Sequence, residues 1–352
     1  MNINKDNSIK STVKLSCVRS GEVTLLEDRF FDIPYKLTHF GRPTAADFLE
    51  MILMCSSPGV MEGDSLQMDI LCKENAKMKF FTQSFNRIHP MPKKNGAEQF
   101  CNFKIEKGAK FMYVPHPTIP YKDSIFEATN DIRMTGTSHL IWGDLISGGR
   151  IHSGEKFLFS KYHTKTKIYR DERLIIFDNQ LISPETQPLE ELLFFEGYTH
   201  QGTLLMVSPF AEDFKKELDA ILLEQFTDSS YGFTICAENA LMLRILGNSG
   251  DALYDWLLNI GNMAWSYFEH RDNVKKEEEL AIAKAETEKE TEVKAVENKV
   301  AVAKKTTKTS TKTAAKTSVK TASKTSAKKT KTTKKAGTTK STTEKAKTKP
   351  KK

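Results

Sequence analysis

Eight side chains on five short loops carry chemistry that solubility alone does not require. Glu62 and Asp64 lie in PGVMEGD (58–64), Gln83 in TQS (82–84) and His116 in PHPTIP (115–120). Asp144 and Glu155 belong to WGDLISGGRIHSGE (142–155), and Glu196 and His200 to EGYTHQG (196–202). Carboxylate and amide oxygens with imidazole nitrogens suit hard or borderline divalent cations. Spread over separate loops, they would hold such an ion weakly and transiently. The competing role for the same groups is turn chemistry, in which they accept hydrogen bonds from backbone amides.

The 142–155 stretch places one Trp, two carboxylates, Arg150 and four Gly within fourteen residues. That composition predicts a pair of turns with Gly at positive φ rather than a core strand or a helix. Gly149 to Gly154 has the spacing of a phosphate-binding loop, but Glu155 stands where the phosphate lysine is needed. Lys156 and Phe157 follow, with no Ser or Thr to open a helix. A carboxylate there would repel phosphate, so the segment is not a nucleotide cradle.

Nothing else in the chain suggests catalysis. The eight His never pair as HxH, HxxxH or HExxH, and no GxSxG elbow occurs. His116 and His200 stand alone, in the way of histidines that hydrogen-bond a fold.

The elements that must position these loops read mainly as short strands. VKLSCVRSGEVTLLEDRFF alternates apolar and polar residues and predicts a hairpin about Ser20-Gly21. AADFLEMILMCSSPGV predicts a buried strand running into a turn at Pro58-Gly59. SLQMDILC puts Leu66, Met68, Ile70 and Cys72 on one face. Further strands recur through ERLIIFDNQLI (172–182), which predicts an all-β sandwich, barrel or solenoid.

After Pro209 the period changes, with Phe210, Phe214, Leu218, Ile221 and Leu222 at helical spacing. AENALMLRILG (237–247) is read as a second helix capped by Gly247. Ser249 or Asp251 then opens a third, burying Leu253, Trp256, Leu257, Ile260, Met263, Ala264 and Tyr267.

Charge divides the 352 residues unevenly. Residues 304–352 carry 18 Lys against the single acid Glu344, or +17, so the overall +8 leaves −9 on residues 1–303. The expected organisation is a β-rich body over 1–272 with helices at 210–268. A Glu/Lys/Ala-rich linker (273–303) with helical tendency follows, then a disordered Lys/Thr/Ala/Ser tail (304–352). The tail could neutralise a polyanion without reading sequence, and nucleic acid would be reached only through it.

The five Cys are scattered, with no CxxC, which favours reduced thiols in the cytoplasm over structural zinc. The start MNINKDNSIK has no apolar signal core, and no apolar run approaches the ~20 residues of a membrane span.

The order of the loops resembles the urease accessory protein family UreD, called UreH in some organisms. The resemblance is carried by PGVMEGD (58–64), FFTQSFNRIHPM (80–91), KFMYVPHPTIPYKDSIFEA (110–128), LIWGDLISGGRIHSGEKF (140–157) and FEGYTHQGTLL (195–205). It runs from about Thr12 to His270 and leaves the tail outside. It implies a β-helix-like stack of short strands with a few C-terminal helices. It further implies a non-catalytic factor that works with UreF and the GTPase UreG on apo-urease.

No tightly bound cofactor is implied, only transient passage of Ni²⁺. On this resemblance Glu62, Asp64, His116, Asp144 and Glu155 become candidates for lining a nickel route. Gly63, Gln83, Trp142, Gly149, Arg150, Gly154, Glu196 and Tyr198 become partner-facing or structural loop positions. The helices at 210–268 become part of a UreF-facing surface.

Overall fold

The computed structural model describes residues 2–3, 8–39, 47–221 and 228–309, with side chains over 8–39, 47–221 and 228–294. The strands of its first half are β1 (Asn2–Ile3), β2 (Ile9–Ser20), β3 (Val23–Phe31), β4 (Tyr35–His39), β5 (Leu49–Cys55), β6 (Ser65–Cys72), β7 (Lys77–Thr82), β8 (Asn86–Ile88) and β9 (Ala97–Ile105). Then come β10 (Lys110–Tyr113), β11 (Thr118–Pro120), β12 (Ile125–Met134), β13 (His139–Ser147), β14 (Lys161–Arg170), β15 (Arg173–Ile182) and β16 (His200–Val207). The chain continues with α1 (Ala211–Ile221), β17 (Ser230–Ala237), β18 (Ala240–Gly247) and α2 (Gly250–Thr309).

From β5 to β14 the chain passes back and forth between two sheets. β2, β6, β9, β12 and β14 are parallel neighbours in the first sheet. β5, β7, β10 and β13 are parallel neighbours in the second. Each turn of the coil thus lays one strand in each sheet, as the predicted β-helix-like stack requires. Antiparallel strands close both ends: β3 lies on β2 and β15 on β14 in the first sheet. In the second, β4 lies on β5, while β16, β18 and β17 extend from β13. The Ser20-Gly21 hairpin is present, with Gly21 at φ 57°.

Burial explains the two kinds of strand. β12 alternates strictly, with Phe126, Ala128, Asn130, Ile132 and Met134 inward, because the outer face of the first sheet meets water. β10 and β13 are buried on both faces, since α1 and α2 cover the outer face of the second sheet. Gly202 on β16 permits that cover: a Cβ there would stand 2.8 Å from Leu257 of α2.

The sequence-based reading of 237–247 as a helix is corrected. Ala237 ends β17, and after a two-residue turn Ala240–Gly247 is β18, hydrogen-bonded to β16 and β17. Leu241, Leu243 and Ile245 are buried under the helices, but Met242 and Leu246 on the other face are apolar too, and the resulting run mimics a buried helix. The third helix does start where expected, with the Ser249 hydroxyl accepting from Ala252 N at 3.3 Å. Its buried stripe includes Trp265 and Phe268, whereas the expected Met263 is exposed.

The Glu/Lys/Ala run lies within α2, which also includes Lys304–Thr309 of the expected disordered tail. The rest of that tail, from Ser310, lies outside the described residues. The described residues up to Ala281 form one compact unit, and those from Ile282 belong to a second.

Three Cys are buried in the first sheet. Cys17 and Cys72 face each other across the β2–β6 ladder with sulfurs 3.5 Å apart, both as free thiols. Cys101 is buried on the next strand, β9, while Cys55 and Cys236 are exposed.

One charged cluster fastens α2 to the second sheet. Lys110, only 1% exposed, reaches Glu269 at 3.0 Å and Asp272 at 3.7 Å. Glu269 also pairs with Lys77, which holds Asp47. His139 bridges Asp272 at 2.9 Å and the Ser208 hydroxyl at 2.9 Å. Burial disfavours the charge on Glu269, but the bond from Lys77 and the Lys110 charge outweigh it and hold its pKa below the usual range.

Removing Lys110 leaves these carboxylates without their buried cation. Lys110→Ala should therefore lower unfolding stability by about 2–3 kcal/mol, less than a fully buried pair because Glu269 is partly solvated. Lys110→Met, which keeps the packing, should cost less. Urea midpoints of the two variants check this order.

Candidate functional site

Along one edge of the coil, at the N-terminal ends of the first-sheet strands, the space between the sheets opens into a cavity of about 130 Å³. It is large enough for several waters. Asp144 on β13 and Tyr162 and Thr164 on β14 form its floor, and Asn130 on β12 lines one wall. Residues 82–87 and His116 form the mouth, where Gln83 is exposed. A smaller cavity of about 20 Å³ shares Tyr35, Cys55, Gly59 and Gln99 with the first and ends at Asp64.

Asp144 is the central group. The Tyr162 hydroxyl donates to Oδ1 at 3.3 Å and the Thr164 hydroxyl to Oδ2 at 3.4 Å. Both bonds are long, so the oxygens retain capacity for another donor or a cation. Burial, with a smaller push from Asp178, raises its carboxyl to about 6, although the two hydroxyls pull the other way. Beside it, Trp142 packs on Tyr113 at 5.0 Å and on Phe103 at 5.2 Å. The Trp142 indole Nε1 is buried without a hydrogen-bond partner among the described residues.

At the mouth, His116 Nδ1 lies 3.1 Å from the Thr82 hydroxyl, which also accepts the His116 backbone N–H at 2.8 Å. Its ring stacks on Tyr254 of α2 with centroids 4.1 Å apart. Burial lowers the His116 pKa, leaving the ring neutral at neutral pH. His200 lies apart and bonds Thr199 at 2.8 Å, and burial lowers it to about 4.

The cavity unites His116 and Asp144 with Gln83 and Trp142, while Asp64 stands at the far end of its smaller neighbour. Asp64 also clasps backbone: Oδ1 accepts Ile9 N and Oδ2 accepts Met61 N, each at 2.8 Å. Gly63, in the same turn, donates to Gly96 O at 3.1 Å.

The other expected positions hold turns outside these cavities. Glu62 accepts Asn95 N at 2.9 Å. Glu155 accepts Lys122 N and pairs with Arg150, whose guanidinium lies 4.3 Å from the Tyr121 ring. Gly149, at φ 131°, has no room for a side chain, because a Cβ would meet Glu155 O at 2.7 Å. Gly154 ends the 3₁₀ turn Ile151–Ser153. Glu196 accepts Leu193 N at 3.0 Å, and Tyr198 N donates to Phe195 O at 2.7 Å.

The 142–155 stretch is therefore only half loop. Trp142 through Ser147 complete β13, and Asp144 is a part-buried cavity residue where a solvated turn residue was the alternative. The loop-based reading missed Tyr35, Gln99, Asn130, Tyr162 and Thr164. One signal was available, since Asn130 occupies an inward position between Ala128 and Ile132.

Asp64→Ala removes the acceptor of two amides and should cost about 1–3 kcal/mol, whereas Asp64→Asn keeps one acceptor and should cost less. Thermal unfolding of the two variants measures the difference.

The profile of the family described as UreD urease accessory protein matches residues 10–276. The "Urease accessory protein UreD" of Acetivibrio thermocellus is 35% identical over 243 residues, covering 69% of this chain and 92% of that protein. Its counterpart in Flavobacterium johnsoniae is 32% identical over 242 residues, covering 68% and 87%. A "Urease accessory protein UreH" of Helicobacter pylori is 32% identical over 184 residues, covering 52% and 69%. The matched region holds both sheets, α1 and the start of α2, and on it the chain belongs to the UreD family of urease accessory proteins.

Proposed function

We propose that this chain serves urease maturation as a non-catalytic factor that hands Ni²⁺ to the apo-enzyme through the space between its two sheets. The observation that carries this reading is the pair of adjoining cavities, sharing the walls Tyr35, Cys55, Gly59 and Gln99, that reach from His116 and Asp144 to Asp64. Their polar walls supply oxygens one or two at a time. Among the described residues no three His, Cys, Asp or Glu side chains gather as a metal site. A transfer path needs such weak, serial contacts, because a closed ligand set would retain the ion.

Asp144 would offset the cation's charge in the middle of the path, and His116 would meet it at the mouth. The Gly149–Gly154 turn lacks a phosphate lysine, so nucleotide hydrolysis falls to a UreG-like GTPase. A UreF-like protein against the helices completes the assembly. Glu62 and Glu155 remain proposed gate residues through the turns they hold.

Asp144→Asn should sharply reduce urease activation while the accessory complex still assembles. With native Asp144, activation should fall as pH drops through about 6, where the carboxylate takes up its proton. The variant should lose that step.

Stability should move oppositely. The folded carboxyl binds its proton more tightly than the unfolded one, so the cost to folding builds as pH rises from about 4 and is complete above about 6. Asp144→Asn should therefore be stabilising at pH 7–8 by on the order of 2 kcal/mol, with the gain fading toward pH 4. Normal nickel loading by both Asp144→Asn and His116→Ala would sink the path.

The segregated +17 of residues 304–352 favours a second reading, polyanion binding through the tail. Deleting 304–352 should leave urease activation intact under the first reading and abolish the main activity under the second.

A further inference from the structure

The loop of residues 188–197 holds two large apolar side chains in water. Leu192 is 76% exposed and Leu193 88%, with Phe194 exposed beside them. Their display is fixed by the loop's own bonds. Phe195 N donates to Leu189 O at 2.9 Å and closes a ring, and Glu191 N donates to Pro188 O at 3.0 Å. Leu189 and Phe195 are buried beneath it, with the Phe195 ring 4.7 Å from Phe157. At the tip Leu193 sits at φ 71° and Glu196 at φ 51°, and the Glu196 carboxylate accepts Leu193 N at 3.0 Å.

A leucine in the left-handed region is strained, and surrounding structure must impose it. Here the imposed conformation points an apolar side chain outward, where it contributes nothing to the core. Exposed leucines are ordinary one at a time, but a fixed group of three large apolar residues is characteristic of an interface. Beside the tip lies a hollow of about 290 Å³ lined by Leu181, Leu193, Phe194, Asp178 and Arg244, among others.

We propose that residues 188–197 form a docking knob for a partner protein whose apolar pocket is rimmed by Lys or Arg. The rim charges favour that occupant, since Glu190, Glu191 and Glu196 flank the leucines and the Lys156 bound to Glu190 offsets only one of the three. A second copy meeting knob to knob would bring the same three acids face to face. An anionic membrane would repel them. The chain's own tail has the charge but, with Val319 its only apolar residue beyond Ala and Pro, nothing to fill a pocket around the leucines.

The proposal rests on membership of the urease-maturation machinery and is independent of the cation path. The test coexpresses the full chain with apo-urease and the accessory proteins of its own organism. Each partner is then quantified after affinity capture at moderate salt. Leu192→Asp with Leu193→Asp should reduce recovery of one partner roughly tenfold or more, as loss of a central apolar anchor does.

Leu193→Gly removes the side chain and relieves the positive φ, so its thermal midpoint should hold while recovery still falls. Glu190→Gln with Glu191→Gln should weaken capture and flatten its salt dependence. Undiminished recovery of every partner by both leucine variants overturns the knob. So does self-association by sedimentation that the leucine variants abolish, which would assign the loop to a second copy. Neither result touches the Asp144 path, whose failure would appear as normal nickel loading with capture unchanged.

Discussion

Parallel register ties each inward residue to its equivalents on the neighbouring turns, and the wet end of the molecule depends on this. One column through the first sheet reads Leu15, Ile70, Phe103, Ile132 and Ile168, all apolar. Two residues back along the strands the column is Val13, Met68, Cys101, Asn130 and Thr166. Two more give Ser11, Leu66, Gln99, Ala128 and Thr164. The inner surface passes from dry to polar within four residues of each strand, and the cavity occupies the polar part. A one-residue slip would exchange inward and outward faces and erase it.

The apolar columns keep the polar end open. Phe103, Tyr113 and Trp142 pack between the sheets just inside the cavity. Rigid aromatic contacts there prevent the sheets from collapsing onto the polar groups. On the outer face of the second sheet, α2 supplies Tyr254 to the mouth and Glu269 to Lys110, about four turns away along one helix. The charged latch and the mouth therefore share a single rigid support.

The alternating strands were legible from period two, because the first sheet has one wet face. β18 was not, since apolar Met242 and Leu246 on its less buried face blurred the alternation in ALMLRILG. Polar loop residues drew attention to Asp64, Asp144 and His116, which do border the cavities. Glu62 and Glu155 lie on similar Gly-containing loops, yet Glu62 binds the backbone amide of Asn95, and Glu155 that of Lys122 and the Arg150 guanidinium. Only the coil brings Asn130, Tyr162 and Thr164 to Asp144, through register between strands tens of residues apart. Leu193 gave no sequence signal at all, because its positive φ is imposed by a ring that Phe195 and Glu196 close.

The free thiols make the coil report on its own opening. Cys17, Cys72 and Cys101 are buried within the first sheet, out of reach of solvent in the closed state. Burial also pushes the Cys101 thiol up to about 12, which suppresses its reactive thiolate. Cys55 and Cys236 lie at the surface. A thiol reagent would therefore mark two cysteines at once and three only as fast as β2, β6 and β9 part. The lag between those phases is an intrinsic clock for separation of the rungs that hold the cavity together.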